Sequence, residues 1–357
     1  MRPGQTLLLA NGTVELRIVC VAPPEIDCEV IVGGCLSSHK GVTVPRGTLS
    51  LAAFTAQDRA YLHLGIEMGI DLAALSFVRS PADIAAARQV VDAHHADLPL
   101  MAKIEKPEVL DVLDNVLTAA DAVMVARGDL GVEIPLEEVP LVQKDIIRKA
   151  VQAAKPVVTA TQMLRSMVDS PRPTRTEAAD VANAVLDGSD AVMLSEESAI
   201  GAYPVEAVRI LTRITETAEK RFLAQERFAT FSAPGSMSTS TAIGYAACVL
   251  TREASAAAIV CCTRTGRTAR LVAKNRPAPP IIAVSPHHTT VRRLSLTWGV
   301  RAVYAEEFDT THAMVHAAVE AARGTGLLAP GAKIVLVGAA PSTPLGHTDF
   351  LRVVTVS

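Results

Sequence analysis

From about residue 55 the chain settles into a repeating order of short apolar run, polar loop and helix-period segment. This order restricts the fold more than any other feature of the sequence. Apolar runs at 72–77, 99–104, 121–126, 156–160 and 190–194 have the length of strands. Before, between and after them, helix-period segments fall at 56–69, 81–94, 107–118, 137–153, 175–187 and 204–223. Strands in series with helices between them pair in parallel, in a closed barrel or an open sheet. Helix starts are marked by Ser80-Pro81, Lys106-Pro107 and Tyr203-Pro204, since a first turn tolerates proline. Thr174-x-x-Glu177 predicts a capping box, and Asp187-Gly188 predicts a helix stop.

The first 45 residues have another texture. Thr6-Leu-Leu-Leu, Val14 to Val19 and Cys28 to Val32 are short β-rich runs, separated or closed by Asn11-Gly12 and Gly33-Gly34. Residues 226–236 break the later rhythm and read as an interdomain linker. A second strand–helix series follows, with helices at 238–252, 267–275, 289–297 and 310–323. Its strands are predicted at 256–262, 281–285, 301–305, 332–337 and 351–356. The expected units are therefore a small β domain at 1–45, a βα domain at 46–225 whose five parallel strands lie in a barrel or an open sheet, and an open-sheet α/β domain at 226–357.

Composition narrows the function. Aromatics are only 3% of a chain that is 49% hydrophobic, which suits a helix-rich α/β enzyme. A net charge of -3 leaves no basic excess for a general nucleic-acid binder. The six cysteines (Cys20, Cys28, Cys35, Cys248, Cys261, Cys262) lack metal-site spacing and read as buried thiols of a cytosolic protein. Leu7-Leu8-Leu9-Ala10 is too short for a signal-peptide core, and no apolar run approaches the ~18 residues of a membrane span. A cytoplasmic location is the expectation.

Three successive strands end in polar groups. Side chains alternate along a strand, so Lys103 and Glu105 share one side and Ile104 takes the other. Asp129 follows the next strand and Thr161 the one after. In a βα barrel these positions face the active site. Taken singly, Lys-x-Glu suits a solvated edge, Asp129 a turn, Thr161 a helix entry, and Arg127 a partner for Glu133 or another carboxylate. Their shared position argues for one site. Two carboxylates from neighbouring strands suit Mg²⁺, which prefers oxygen and completes its shell with water and substrate. Gly128-Asp129-Leu130-Gly131 reads as a loop entering a short helical turn whose backbone N–H groups suit a carboxylate or phosphate. Lys103 stands where charge develops on a transferred phosphoryl group or an enolate oxygen.

At these residues the chain resembles the pyruvate kinases. The resemblance rests on Ala102-Lys-Ile-Glu, on Met124-Val-Ala-Arg-Gly-Asp-Leu-Gly-Val-Glu-Ile-Pro and on Thr159-Ala-Thr-Gln-Met-Leu. It extends through Pro171-Arg-Pro-Thr-Arg-x-Glu-Ala-x-Asp-Val-Ala-Asn-Ala and Asp187-Gly-Ser-Asp-Ala-Val-Met-Leu-Ser to Tyr203-Pro, and covers essentially the whole chain. It implies phosphoryl transfer from phosphoenolpyruvate to ADP, giving pyruvate and ATP through an enolate, with Mg²⁺ and K⁺. Lys103 then resembles the lysine that stabilises the transition state, and Glu105 and Asp129 the Mg²⁺ ligands. Arg127, Gly128, Asp129 and Thr161 resemble substrate-contacting positions, Thr161 near the face where the enolate is protonated. Lys40 resembles a nucleotide-phosphate lysine on a small domain that closes as a lid. The loop Thr263-Arg264-Thr265-Gly266-Arg267 resembles one that holds the phosphate of a sugar-phosphate activator; the plain alternative is a strand-to-helix turn. The resemblance also implies the fold class: α/β, with a partial small β lid domain at 1–45 and a partial TIM-type barrel at 46–225, five of eight βα units. A homotetramer is the oligomer it implies.

The chain also departs from the family pattern. It contains neither an Arg-x-Asn-x-Ser-His-Gly stretch, the source of a phosphate-binding arginine, nor an Asp-Thr-Lys-Gly-Pro-Glu stretch, where K⁺ ligands are expected. Besides the kinase, two alternatives follow. One is a truncated paralogue or split-enzyme fragment, completed by another chain or acting in assembly and regulation. The other is a metal-dependent aldolase forming a pyruvate enolate without nucleotide. Lys40 and the lid favour the kinase over the aldolase, and the missing strands favour the regulator.

Overall fold

The structure, a computed structural model, describes residues 1–10, 12–38, 40–44, 52–223, 237–340 and 347–356. It divides into two compact units. The first comprises Met1–Lys149, Val158–Asp180 and Val192–Leu211, and the second Ala150–Val157, Val181–Ala191 and Thr212–Ser357. The linker expected at 226–236 lies outside the described residues.

The chain opens with β1 (Thr6–Leu9), β2 (Val14–Ala22), β3 (Glu25–Val32) and β4 (Val42–Thr43), an antiparallel sheet of order β3-β2-β1-β4. Leu7, Ile18 and Val44 form its small core. The β2–β3 turn falls at Pro23-Pro24, a position the glycine signals did not mark. β2 and β3 leave much of both faces in solvent, and this corrects one expectation. Cys20 and Cys35 are exposed and Cys28 half-buried; only Cys248, Cys261 and Cys262 are buried, and all six are free thiols.

Next come α1 (Ala56–Glu67), β5 (Ala73–Leu75), α2 (Pro81–Ala93), β6 (Leu100–Ile104), α3 (Glu108–Asp111), α4 (Leu113–Ala119) and β7 (Ala122–Ala126). They continue into α5 (Arg127–Glu133), α6 (Val139–Gln152), β8 (Val157–Ala160), α7 (Arg175–Asp187), β9 (Ala191–Met193), α8 (Glu196–Ala199) and α9 (Pro204–Leu223). The five strands form one sheet in chain order, β5-β6-β7-β8-β9, with parallel registers between β5 and β6 and between β6 and β7. This is the α/β arrangement expected, and no closed barrel is present among the described residues.

The punctuation signals act as expected. Thr55 and Asp58 form a capping box on α1, and Ser80 and Asp83 another on α2, with Pro81 at its first position. At α7, Thr174 N–H donates to Glu177 Oε2 at 2.8 Å and Glu177 N–H to Thr174 Oγ1 at 3.2 Å. The helix stops at Asp187, and Gly188 takes φ +106°. The single helix expected at 107–118 is instead two, because Val112 leaves the helical region at φ −119°. The two pieces bury Val109, Leu113, Val116 and Leu117.

The second strand–helix series gives α10 (Thr239–Glu253), β10 (Ala258–Cys262), α11 (Arg267–Ala273), β11 (Ile281–Ser285), α12 (His288–Arg293), β12 (Val300–Tyr304), α13 (Thr311–Gly324), β13 (Lys333–Gly338) and β14 (Phe350–Thr355). The helix expected at 289–297 tightens to a 3₁₀ turn after Arg293. The sheet order is β12-β11-β10-β13-β14, parallel except for the antiparallel edge strand β14. Strand alternation sorts its residues between two cores. Ile259, Cys261, Ile281, Ala283, Val335 and Val337 pack with Ala247, Cys248, Ala269 and Val272. Val260, Cys262, Ile282, Val284, Ile334 and Leu336 pack with Met314, Ala318 and Ala322. Within the second unit, buried Arg276 pairs with Asp190 at 2.9 Å, and Asp190 also accepts the N–H of Val157 and of Trp298.

Candidate functional site

Polar groups at the ends of β5, β6, β7 and β8 are tied to one another. Lys103 and Glu105 do leave β6 on one side. Their Nζ and Oε1 atoms are 2.5 Å apart, and Glu105 is only 1% exposed. Two residues beyond β5 complete the arrangement. Ser76 Oγ accepts a hydrogen bond from Lys103 Nζ at 2.9 Å, and the Phe77 N–H donates to Glu105 Oε2 at 2.6 Å. A buried carboxylate needs such partners, because desolvation otherwise penalises its charge. Phe77 holds φ +54°, a left-handed conformation that bulky residues rarely adopt.

On the β8 side, Thr161 and Gln162 take φ +68° and +54° in succession. For a β-branched threonine this is strained backbone of the kind that gathers at functional sites. Two contacts hold it. The Gly128 N–H donates to Thr161 Oγ1 at 2.7 Å, and Arg127 donates to the Thr161 and Gln162 carbonyls at 2.9 and 3.2 Å. Arg127 is 8% exposed and also pairs with Asp180, which answers the question of its carboxylate partner. A Cβ at Gly128 would lie 3.3 Å from Thr161 Oγ1, a tight contact that a larger residue would relieve only by shifting Thr161. Helix begins at Arg127 itself, earlier than the loop reading placed it.

A cavity of about 790 Å³ adjoins this cluster. Ser76, Phe77, Glu105, Lys106, Asp129 and Glu133 line its polar part; Gly41, Val42 and Thr43 border it from the small β sheet. Lys40 is exposed, one residue from that border. Lys103, Arg127, Gly128 and Thr161 are not among the lining residues; Lys103 reaches the cavity's edge only through Glu105, and the other three lie behind Asp129. Among the described residues no group of three or more His, Cys, Asp or Glu gathers as a metal cage. Glu105 and Asp129 facing one cavity nevertheless fit Mg²⁺, which takes few protein carboxylates and keeps water and substrate oxygens.

Ser76 and Phe77 escaped the sequence reading, which took Lys106 only as a helix start and Glu133 only as a partner for Arg127. Ser76 and Phe77 carried one usable signal, their place at the end of a strand. The Phe77 contribution is a backbone N–H, which no side-chain pattern reveals. Nearby, Glu197 is also 1% exposed and accepts the N–H groups of Leu164 and Ser195. Burial would raise the Glu177 carboxyl, but hydrogen bonds from Ser166 and Thr174 outweigh it and hold the group below its ordinary value.

In the second unit the loop from Thr263 to Arg267 joins β10 to α11. Gly266 takes φ +80° at the helix start, and its N–H donates to Thr263 Oγ1 at 3.0 Å. Arg264, Thr265 and Arg267 are exposed, and Arg264 pairs with Glu307.

Comparison with known proteins agrees along the whole length. The family described as "Pyruvate kinase, barrel domain" matches residues 1–208, and "Pyruvate kinase, alpha/beta domain" matches 241–354. A pyruvate kinase of Clostridium acetobutylicum is 40% identical over 357 residues, all of this chain and 76% of the relative. One of Agrobacterium vitis is 44% identical over 355 residues, covering 99% of this chain and 73% of the relative. One of Geobacillus stearothermophilus is 43% identical, covering 99% and 61%. Both domain matches and this identity lead to one assignment: the chain belongs to the pyruvate kinase family.

Proposed function

We propose that the chain performs its family's glycolytic reaction, phosphoryl transfer from phosphoenolpyruvate to ADP, at the cavity beside β6 and β7. The bond from phosphorus to the enol oxygen breaks, and one forms to a terminal oxygen of ADP. The enolate left behind takes a proton on its methylene carbon to become pyruvate. Positioning and charge compensation dominate such chemistry. The observation that carries the assignment is the pairing of Lys103 Nζ, 2.5 Å away, with Oε1 of Glu105, which borders one cavity together with Asp129.

Lys103 neutralises charge on the transferred group and the enol oxygen. Glu105 and Asp129 hold Mg²⁺, which when bound supplies charge neutralisation between the phosphates. Asp129 lines the floor for substrate, and Gly128 precedes it. Thr161 supports that floor through Gly128 and stands near the face where the enolate is protonated; Arg127 holds the Thr161 backbone in place. Lys40 reaches the nucleotide phosphates, and closure of the small β sheet over the cavity excludes water. The family is generally dependent on both Mg²⁺ and K⁺, and no residue of this chain is assigned to K⁺. Exposed Arg264, Thr265 and Arg267 support a sugar-phosphate site on the second unit. Self-association into a tetramer would cover Ile200, Val205 and Val208, which are 74%, 54% and 49% exposed. No helix among the described residues is long and apolar enough to cross a membrane, in keeping with a cytoplasmic setting.

The test is a coupled assay of the full chain with phosphoenolpyruvate, ADP, Mg²⁺ and K⁺. Lys103→Ala should lower kcat by at least about 10³-fold, some 4 kcal/mol of transition-state stabilisation. Equal turnover by the variant would remove Lys103 from the mechanism. Absence of turnover in a folded wild-type chain would favour the regulatory alternative. Conversion of an oxo-acid without nucleotide would favour the aldolase.

A further inference from the structure

Lys106 and Glu133 hold none of the roles above, yet both border the cavity with Glu105 and Asp129. Their side chains form an ion pair, 18% and 6% exposed, and Lys106 Nζ also lies 5.9 Å from the centre of the Phe77 ring. Burying two charges has a desolvation cost that attraction offsets only when the geometry is good. The position of the pair in the fold suggests what it provides. Lys106 follows Glu105 just past β6, and Glu133 is the last residue of α5, whose first turn carries Gly128 and Asp129. The start of α5 is already tied to the β8 side through Gly128 and Arg127. The Lys106–Glu133 pair ties its far end to the β6 side.

We propose that the Lys106–Glu133 ion pair is a clamp. It fixes α5 between the ends of β6 and β8, and so holds the Asp129 carboxylate within reach of a divalent cation that also binds Glu105. This rests on Glu105 and Asp129 being the metal carboxylates. Lys106 and Glu133 are then positioning residues: they set the metal site without touching the reacting atoms.

A plain electrostatic role predicts the opposite sign. Removing the positive charge of Lys106 beside a cation site should strengthen cation binding by Coulomb's law. Loss of a clamp should weaken it, by about tenfold or more when a residue that orients a ligand is removed.

The experiment titrates Mn²⁺ into the full chain without substrates and reads free Mn²⁺ by electron paramagnetic resonance, with circular dichroism as the folding control. Lys106→Met and Glu133→Gln should each weaken binding about tenfold. The reversed pair, Lys106→Glu with Glu133→Lys, should recover most of that loss. In turnover, both single variants should raise the Mg²⁺ concentration for half-maximal rate and leave the rate at saturating Mg²⁺ nearly unchanged. Should Lys106→Met fail to fold, Lys106→Gln is read in its place. Unchanged or tighter Mn²⁺ binding in the Lys106 variant overturns the clamp, as does a reversed pair no better than the single variants. Glu105→Gln and Asp129→Asn separate the two levels. If they bind Mn²⁺ like wild type, the metal assignment itself falls and the clamp with it. If they abolish binding while Lys106→Met does not weaken it, only the clamp falls.

Discussion

The two five-stranded sheets share a parallel βα construction but use their strands differently. In the C-terminal sheet, β10 and β11 are buried along their whole length between two apolar cores, and antiparallel β14 covers one edge. In the barrel sheet β6, β7 and β8 are buried almost as fully, and the edge strands of both sheets, β5 and β9 here and β12 and β14 there, are half-buried or exposed. Backbone conformation separates the sheets further. Phe77, Thr161 and Gln162 adopt positive φ just beyond β5 and β8. Among the described residues of the second series, the non-glycine residues with positive φ, Ser255 and Arg276, follow helices α10 and α11. One sheet is therefore a stability element. The other concentrates strain and charge at its strand ends, where chemistry needs them.

The sharpest way to break this contrast is to remove equivalent apolar bulk from each sheet. Ile281→Ala, at a fully buried position of β11, should cost about 3 kcal/mol in urea unfolding. Leu75→Ala on half-buried β5 should cost roughly half as much, because less of its surface is removed from water. Equal losses would mean that the barrel sheet is as firmly built as its counterpart.

A smaller effect concerns acid. The Glu177 carboxyl is held below its ordinary value near 4.5, so its contribution to stability is fully present above that value and is lost as pH falls through the lowered folded value. Glu177→Ala, which removes the acceptor for Thr174 and Ser166, should destabilise the protein by about 1 kcal/mol at neutral pH. The difference from wild type should shrink in acid, and a constant difference down to the lowest measurable pH would remove Glu177 from the acid response.

The mildest test leaves the fold intact. Burial pushes the Cys248 and Cys262 thiols up to about 12 and the Cys261 thiol well above its ordinary value, so none of the three forms thiolate near neutrality. A disulfide reagent should label Cys20 and Cys35 within minutes in the native protein and reach the C-terminal three only on unfolding. Fast labelling of Cys261 would show that the second sheet opens more readily than its packing implies.

Most of the fold was legible because its causes are local. The apolar run at 281–285 and the helices 175–187 and 204–223 coincide with their elements to the residue, since periodicity, proline at a first turn and a capping box are properties of neighbouring residues. Lys103 and Glu105 were legible as a pair for the same reason: alternation alone puts them on one side of a strand. Helix α5 was read only in part, because two glycines in seven residues argue against a helix and contacts with its surroundings hold it. The Pro23-Pro24 turn and the break at Val112 were missed as well, because neither follows from a local preference.

By itself the sequence determined the family, the order of strands and helices, and which residue types stand at the ends of β6, β7 and β8. Tertiary structure alone decided their partners. It put the Phe77 N–H on Glu105, turned Arg127 inward to Asp180 and the Thr161 carbonyl, and joined Lys106 to Glu133. These contacts link residues 27 to 53 positions apart in the chain, and the burial that makes each of them necessary exists only once the strands have come together.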